Sequence, residues 1–248
     1  MKKIISIALL ILINVAVFSQ NKDSLTAINK IKLTDTTKTH KWELGGSFSP
    51  EYSYRTLKAD ETSQTIKEIR DTLEVAKFGY TVGLNLLYRL NNRLTIETGI
   101  LLSDKGEKTK KTSFTDVPAG QKIMYYTYKY NYYYLGIPLK ANYSITTGKL
   151  NLYVTAGVSA NIFLTQKTTL ITGHDSKDWE RNTTQTKSGF NSVNFAMLAG
   201  LGLQYKLNNK INIKVEPLYT RSLTSVINAP VKSYLYSTGI NFGISKTL

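Results

Sequence analysis

Residues 150–165, "LNLYVTAGVSANIFLT", alternate for sixteen positions without a break. The even positions are Leu150, Leu152, Val154, Ala156, Val158, Ala160, Ile162 and Leu164, all apolar. Most odd positions, from Asn151 and Thr155 to Ser159 and Asn161, are polar or small. A period of two puts these sets on opposite faces of one extended strand. Soluble strands usually run about 5–6 residues. A tilted strand that crosses a bilayer needs about 9–11. The length and the strict alternation therefore point to a membrane-crossing strand, apolar towards lipid and polar towards a lumen.

The same pattern recurs. Phe78, Tyr80, Val82, Leu84, Leu86 and Tyr88 share one face of residues 78–89. Val193, Phe195, Met197, Ala199, Leu201 and Leu203 share one face of 193–207. Eight such runs are predicted, at about 42–55, 76–90, 93–105, 129–145, 150–166, 191–207, 210–223 and 232–246. Three connections are short: Asn91-Asn92, "TTGK" (146–149) and Asn208-Asn209. The two Asn-Asn turns lie in near-copies, "YRLNNRLTIETG" and "YKLNNKINI", and Asn suits the backbone of tight hairpins. Four connections are longer, at about 56–75, 106–128, 167–190 and 224–231. These features predict an all-β fold, an eight-stranded antiparallel up-and-down transmembrane β-barrel with short periplasmic turns and longer extracellular loops. A soluble barrel that buries its apolar face inward would not place Gly, Asn and Arg on the other face.

The N-terminus agrees. "MKKIISIALLILINVAVFSQ" has a basic start, an apolar run from Ile4 to Phe18, and Val17 and Ser19 placed for cleavage. The apolar run is short of the roughly 20 residues a membrane helix needs. Residues 1–19 are therefore expected to be a cleaved signal peptide, 20–41 a flexible periplasmic segment, and 42–248 the barrel. The net charge of +15 suits nucleic acid or an anionic lipid surface, and export narrows it to lipid phosphate or simple solubility. Without Cys there can be no disulfide, thiolate metal site or Cys nucleophile.

Tyr numbers 17, and strand direction explains the excess. Tyr52, Tyr54, Phe78, Tyr80, Tyr130, Tyr133, Phe195, Tyr219, Tyr234 and Tyr236 gather at the long-loop end. Trp42, Tyr88, Tyr143 and Tyr205 gather at the other. Two aromatic belts at the headgroup levels anchor such a barrel.

With these elements in place, "YYYLGIPLKANY" (132–143), "RLTIETGILLS" (93–103) and "AGLGLQYKLNNKINIKVEPLYTRSLTS" (199–225) resemble the PorT-like outer-membrane β-barrel family of Gram-negative bacteria. The resemblance covers about residues 42–248, including Ile137-Pro138 and Glu216-Pro217. It implies the fold and an outer-membrane address. One branch of that family is linked to protein secretion, so the resemblance also implies a protein partner in secretion or an envelope complex.

Inward positions carry Glu43, Glu51, Arg55, Arg89, Glu97, Lys140, Lys206, Lys214 and Glu216. Buried ions persist when paired, so Glu43, Arg89, Glu97, Lys140, Lys214 and Glu216 read as a structural network. The other reading is a ligand or proton path. Arg89 and Glu97 are expected to approach each other across the Asn91-Asn92 turn. The loop at 104–130 is basic through Lys105, Lys108, Lys110, Lys111, Lys122 and Lys129, and reads as a solvated loop or, functionally, as a contact for lipopolysaccharide phosphates in the outer leaflet. The loop at 56–75 is acidic through Asp60, Glu61, Glu68, Asp71 and Glu74, and reads as solvated.

His174, Asp175 and Ser176 are adjacent in one loop, whereas triad members converge from separate elements. Catalysis is not expected, and neither is a cofactor or metal. The favoured function is a non-enzymatic structural, binding or secretion-accessory barrel acting through its extracellular loops. The alternative is a narrow pore for small solutes. The expected contacts are outer-membrane lipid, lipopolysaccharide and protein, not nucleic acid.

Overall fold

A computed structural model describes residues 41–113, 123–174 and 178–248. The leader segment, Lys122, Asp175 and Ser176 lie outside the described residues. Among the described residues ten strands form in chain order. They are β1 (Trp42–Lys58), β2 (Glu74–Arg89), β3 (Leu94–Thr109), β4 (Thr112–Ser113), β5 (Met124–Ser144), β6 (Leu150–His174), β7 (Glu180–Thr186), β8 (Val193–Lys206), β9 (Ile211–Ser222) and β10 (Lys232–Thr247). One α-helix, α1 (Gln64–Leu73), joins β1 to β2.

Eight strands close a ring in the order β5, β3, β2, β1, β10, β9, β8, β6, with β6 returning to β5. β1 pairs antiparallel with β10 from Glu43↔Thr247 to Lys58↔Lys232, which seals the barrel. β4 and β7 stand outside the ring, on β5 and β6 respectively. Leu84 (65% exposed), Val154 and Leu201 point out, while Thr155 and Glu216 are buried inside. The inside–outside reading of the period is therefore correct.

On β5 the outward face runs from Tyr143 to Tyr133 through Ala141, Leu139, Ile137 and Leu135. That is about 34 Å of strand, or roughly 26 Å of height at a ~40° tilt. It matches the apolar band of an outer-membrane barrel. Tyr130 does not belong with this belt. It pairs with Glu107 on the interior side. An odd separation from Tyr133 puts the two rings on opposite faces.

The hairpin turns use asparagine differently from expectation. Asn91 Oδ1 accepts the N–H groups of Arg93 and Leu94, each at 2.8 Å. Asn208 Oδ1 accepts those of Lys210 and Ile211 at the same distance. The side chain imitates a backbone turn, which is why both copies keep Asn in the first position.

The long loops are shorter than the sequence pattern implied. β3, β5 and β6 continue past the outer aromatic belt as a paired overhang, and β7 adds a strand to it. There both faces meet water or protein, so alternation has no reason to persist. The acidic 56–75 segment is solvated at Asp60, Glu61, Glu68 and Asp71, as expected, but it folds as a helix and not a loop, and Glu74 is buried. Asp60 accepts the Ser63 N–H at 3.0 Å, α1 follows, and Asp71 and Glu74 turn back onto the barrel.

Candidate functional site

The lumen is the place where chemistry could reside, and its contents change with height. At the periplasmic end a cavity of about 220 Å³ is lined by Glu43, Arg89, Asn142, Tyr153, Lys206 and Lys214, among others. Arg89 Nη2 donates to Glu43 Oε1 at 2.8 Å, and Asn212 and Ser245 satisfy the other oxygen. Arg89 thus reaches Glu43 on β1, not Glu97 across its own turn. β1 lies beside β2 on one edge, with Leu87 directly opposite Glu43, so that carboxylate is already within reach.

Above it four charges bridge the lumen. Lys214 Nζ from β9 and Lys140 Nζ from β5 lie 2.7 Å and 2.9 Å from Glu97 Oε1 on β3. Lys140 also lies 3.2 Å from Glu216 Oε2, and Asn142 and Asn241 donate to the two carboxylates. Glu97 is 1% exposed and Glu216 is fully buried. Two glycines make the crossing possible. A Cβ at Gly243 would collide with the Lys214 stem, and one at Gly202 with the Tyr153 ring. The predicted cluster of Glu97, Lys140, Lys214 and Glu216 is therefore brought together, with Glu43 and Arg89 as a separate pair below.

Higher still the interior is nearly solid. The next cavity is about 20 Å³, room for a single water. Lys105, read as part of a basic loop, is inside. Its ammonium lies 3.2 Å from Glu51 and 3.0 Å from Ser237 Oγ. Lys108 and Lys110 are exposed as expected, and Lys111 lies over the Tyr125 and Trp179 rings.

Sequence reasoning missed an aromatic plug. Tyr132 and Tyr134 turn inward and pack with Leu235 and with Val226 from the β9–β10 loop. Phe190 enters from the β7–β8 loop and stacks on Phe163 with centroids 4.5 Å apart. The run of three tyrosines at 132–134 carried the signal, because at least one must face inward.

Over the plug sits a second ion cluster. Arg55 Nε donates to Glu74 at 2.6 Å and lies 3.7 Å from Glu107. Arg70 of α1 reaches Glu74 at 2.8 Å, and Tyr132 donates to Glu107 at 2.6 Å. Burial, then the Glu74 charge, push the Glu107 carboxyl up to about 7, against the pull of Tyr132, Arg55 and Arg70. These contacts hold α1 over the outer end, leaving Ile66, Ile69 and Leu73 exposed.

His174 closes β6 opposite Met124. Among the described residues no three His, Asp or Glu side chains converge as a metal set.

No curated protein matches the chain. Among solved structures, Neisserial surface protein A has a TM-score of 0.45 and 11% identity, over 84% of this chain and 97% of its own. OprG from Pseudomonas aeruginosa has a TM-score of 0.39 and 18% identity, over 82% and 97%. Ail of Yersinia pestis has a TM-score of 0.30 and 15% identity, over 82% and 99%. At these identities none carries an activity across. A family model described as the outer membrane protein beta-barrel domain matches residues 18–228. The chain belongs to that family and is an integral outer-membrane β-barrel.

Proposed function

We propose that this barrel is a closed, non-enzymatic outer-membrane protein that acts as a structural, binding or secretion-accessory component through its extracellular end. Export by a cleaved signal peptide, a Gram-negative host and a place in the PorT-like branch are part of the same reading. So are contacts with outer-membrane lipid, lipopolysaccharide and an envelope or secretion protein, and none with nucleic acid. The observation that carries it is the Glu97–Lys140–Glu216–Lys214 bridge across the lumen, backed by the Tyr132–Tyr134–Phe190 plug. A solute would have to break buried ion pairs and then displace packed rings. Buried pairs resist this because separating them strands a charge. The exposed Ile66, Ile69 and Leu73 of α1 supply an apolar stripe suited to a protein contact.

Planar-bilayer recording of the purified chain tests the reading. No discrete conductance steps are expected. Stable steps that vanish on Lys140→Met would replace it with a narrow pore.

A further inference from the structure

We propose that the outward face of the overhang, where β3, β5, β6 and β7 run beyond the outer aromatic belt, binds the phosphate-bearing headgroup of an outer-leaflet glycolipid. The inference rests on the outer-membrane address and gives the lipid partner proposed above a site of its own.

Strand register assembles this face. Paired residues of antiparallel strands point the same way. Asp104 is opposite both Tyr80 and Tyr133, and Tyr80 is exposed on the lipid side. Asn131 pairs with Lys167, Lys129 with Thr169, and Ile171 with Arg181. Together these residues line one cleft of about 340 Å³. That is within the size range of small-ligand sites, roughly 300–1,000 Å³.

The charges on this face differ from those in the lumen. Lys140, Lys214 and Lys105 each have a carboxylate partner. Among the described residues, Lys129, Lys167 and Arg181 have none within ion-pair distance, and neither has Lys108, which pairs with Lys129 across the strands. The one carboxylate lining the cleft is Asp104. Lys77 reaches its Oδ1 at 2.7 Å, and Asn131 donates to both oxygens at 2.8 Å and 2.6 Å. Asp104 is thereby neutralised and cannot serve the other cations, so the cleft carries a net positive charge.

Height selects the ligand. Tyr80 and Tyr133 belong to the belt that marks the headgroup level, and the Lys167 ammonium stands 5.4 Å from the Tyr133 ring centroid. Lys129 is four residues above Tyr133, about 13 Å along the strand. An unmatched cationic cleft starting at that level, and open sideways to lipid, meets the phosphates of the outer leaflet. The aromatic rings below would lie against the sugar and the start of the acyl chains.

The test uses the full-length mature chain in neutral detergent, with native mass spectrometry reading the bound lipid. The probes are diphosphorylated lipid A, the same lipid with its phosphates removed, and inorganic phosphate as competitor. Wild type should retain diphosphorylated lipid A at least tenfold better than the dephosphorylated form, and added salt should weaken it. Lys129→Gln/Lys167→Gln/Arg181→Gln should lose at least tenfold in affinity, while Lys167→Arg with Arg181→Lys stays within about twofold. Lys210→Gln, on a periplasmic turn, should change nothing. Heat-dependent gel mobility reports folding of each variant, and the single Arg181→Gln, on the exposed β7 strand, guards against a triple variant that fails to fold. It should itself weaken binding severalfold. Equal binding of both lipids, wild-type affinity in the triple variant, or displacement by equimolar inorganic phosphate would overturn the proposal. None of these results bears on the closed lumen, which conductance tests separately.

Discussion

The lower lumen and the outer overhang share strands β3, β5 and β6, yet they treat charge in opposite ways. Deep between the aromatic belts the inward cations find carboxylates: Arg89 finds Glu43, and Lys140 and Lys214 find Glu97, whereas Lys206 lines the cavity at the periplasmic mouth. Above the outer belt, Lys108, Lys129, Lys167 and Arg181 find none among the described residues. Enclosure makes the difference. A charge walled in by a bilayer-embedded sheet has little water to solvate it and persists only when compensated. A charge on the overhang keeps its water and can remain free for an external ligand. The lesson is that burial, and not the strand, enforces pairing, since the buried Arg55–Glu74 and Lys77–Asp104 pairs at the outer end are matched as well.

The largest expected effect attacks the enclosed side. Glu97→Gln leaves Lys140 with Glu216 alone and Lys214 without a partner. Breaking a buried pair in this way costs about 3–5 kcal/mol. Urea unfolding in micelles should show the loss, and adding Lys214→Gln should recover part of it. Adding Arg89→Gln instead should give simple additivity, because Arg89 answers to Glu43. Coupling between positions 89 and 97 would contradict the arrangement described for the lumen.

A smaller effect compares the two heights on the outside. Leu84→Arg places a cation near the bilayer midplane and should cost about 2–4 kcal/mol. Thr169→Arg, on the overhang, should stay within about 0.5 kcal/mol, as surface changes do. Equal penalties would mean that the overhang is embedded in lipid.

The smallest effect is local and depends on pH. Burial raises the Glu107 carboxyl from an ordinary 4.5 to about 7. A raised carboxyl stabilises fully below its unfolded value and loses that contribution as pH rises through the folded one. Amide exchange in α1, which Arg70 ties to Glu74 and Glu107, should therefore quicken as pH passes from about 5 to 8, after correction for the intrinsic rate. In Glu107→Gln the dependence should flatten. Unchanged pH dependence in that variant would show that α1 is held by Glu74 alone.

How much of this was legible depended on whether a residue sat between the belts. Leu84, Val154 and Thr155 could be assigned faces from the period, because lipid on one side and lumen on the other leave no third choice. The members of the lumen cluster could be named from the same parity. Their partners could not. Arg89 and Glu97 look close across a turn in sequence, whereas the closed ring sets Glu43 beside Arg89 and carries Lys214 across to Glu97. Outside the belts the period fades, so β6 was cut short at about 166 and β7 was missed. Tyr130 was put with Tyr133 by height, although their odd spacing separates them.

The sequence by itself determined the alternating strands, their number in the ring, the short turns built on Asn91 and Asn208, and the belts. Each is a local or periodic property, set by the pleat and by contact with lipid. Tertiary structure decided which charges meet, that Phe190 and Val226 plug the outer lumen, and that Lys129, Lys167 and Arg181 share one cleft. Those outcomes depend on strand register and on closure of the ring, which bring together side chains as distant as Ser245 and Glu43, 202 positions apart. No local pattern encodes such a meeting. Only the closed ring brings those side chains within hydrogen-bonding distance.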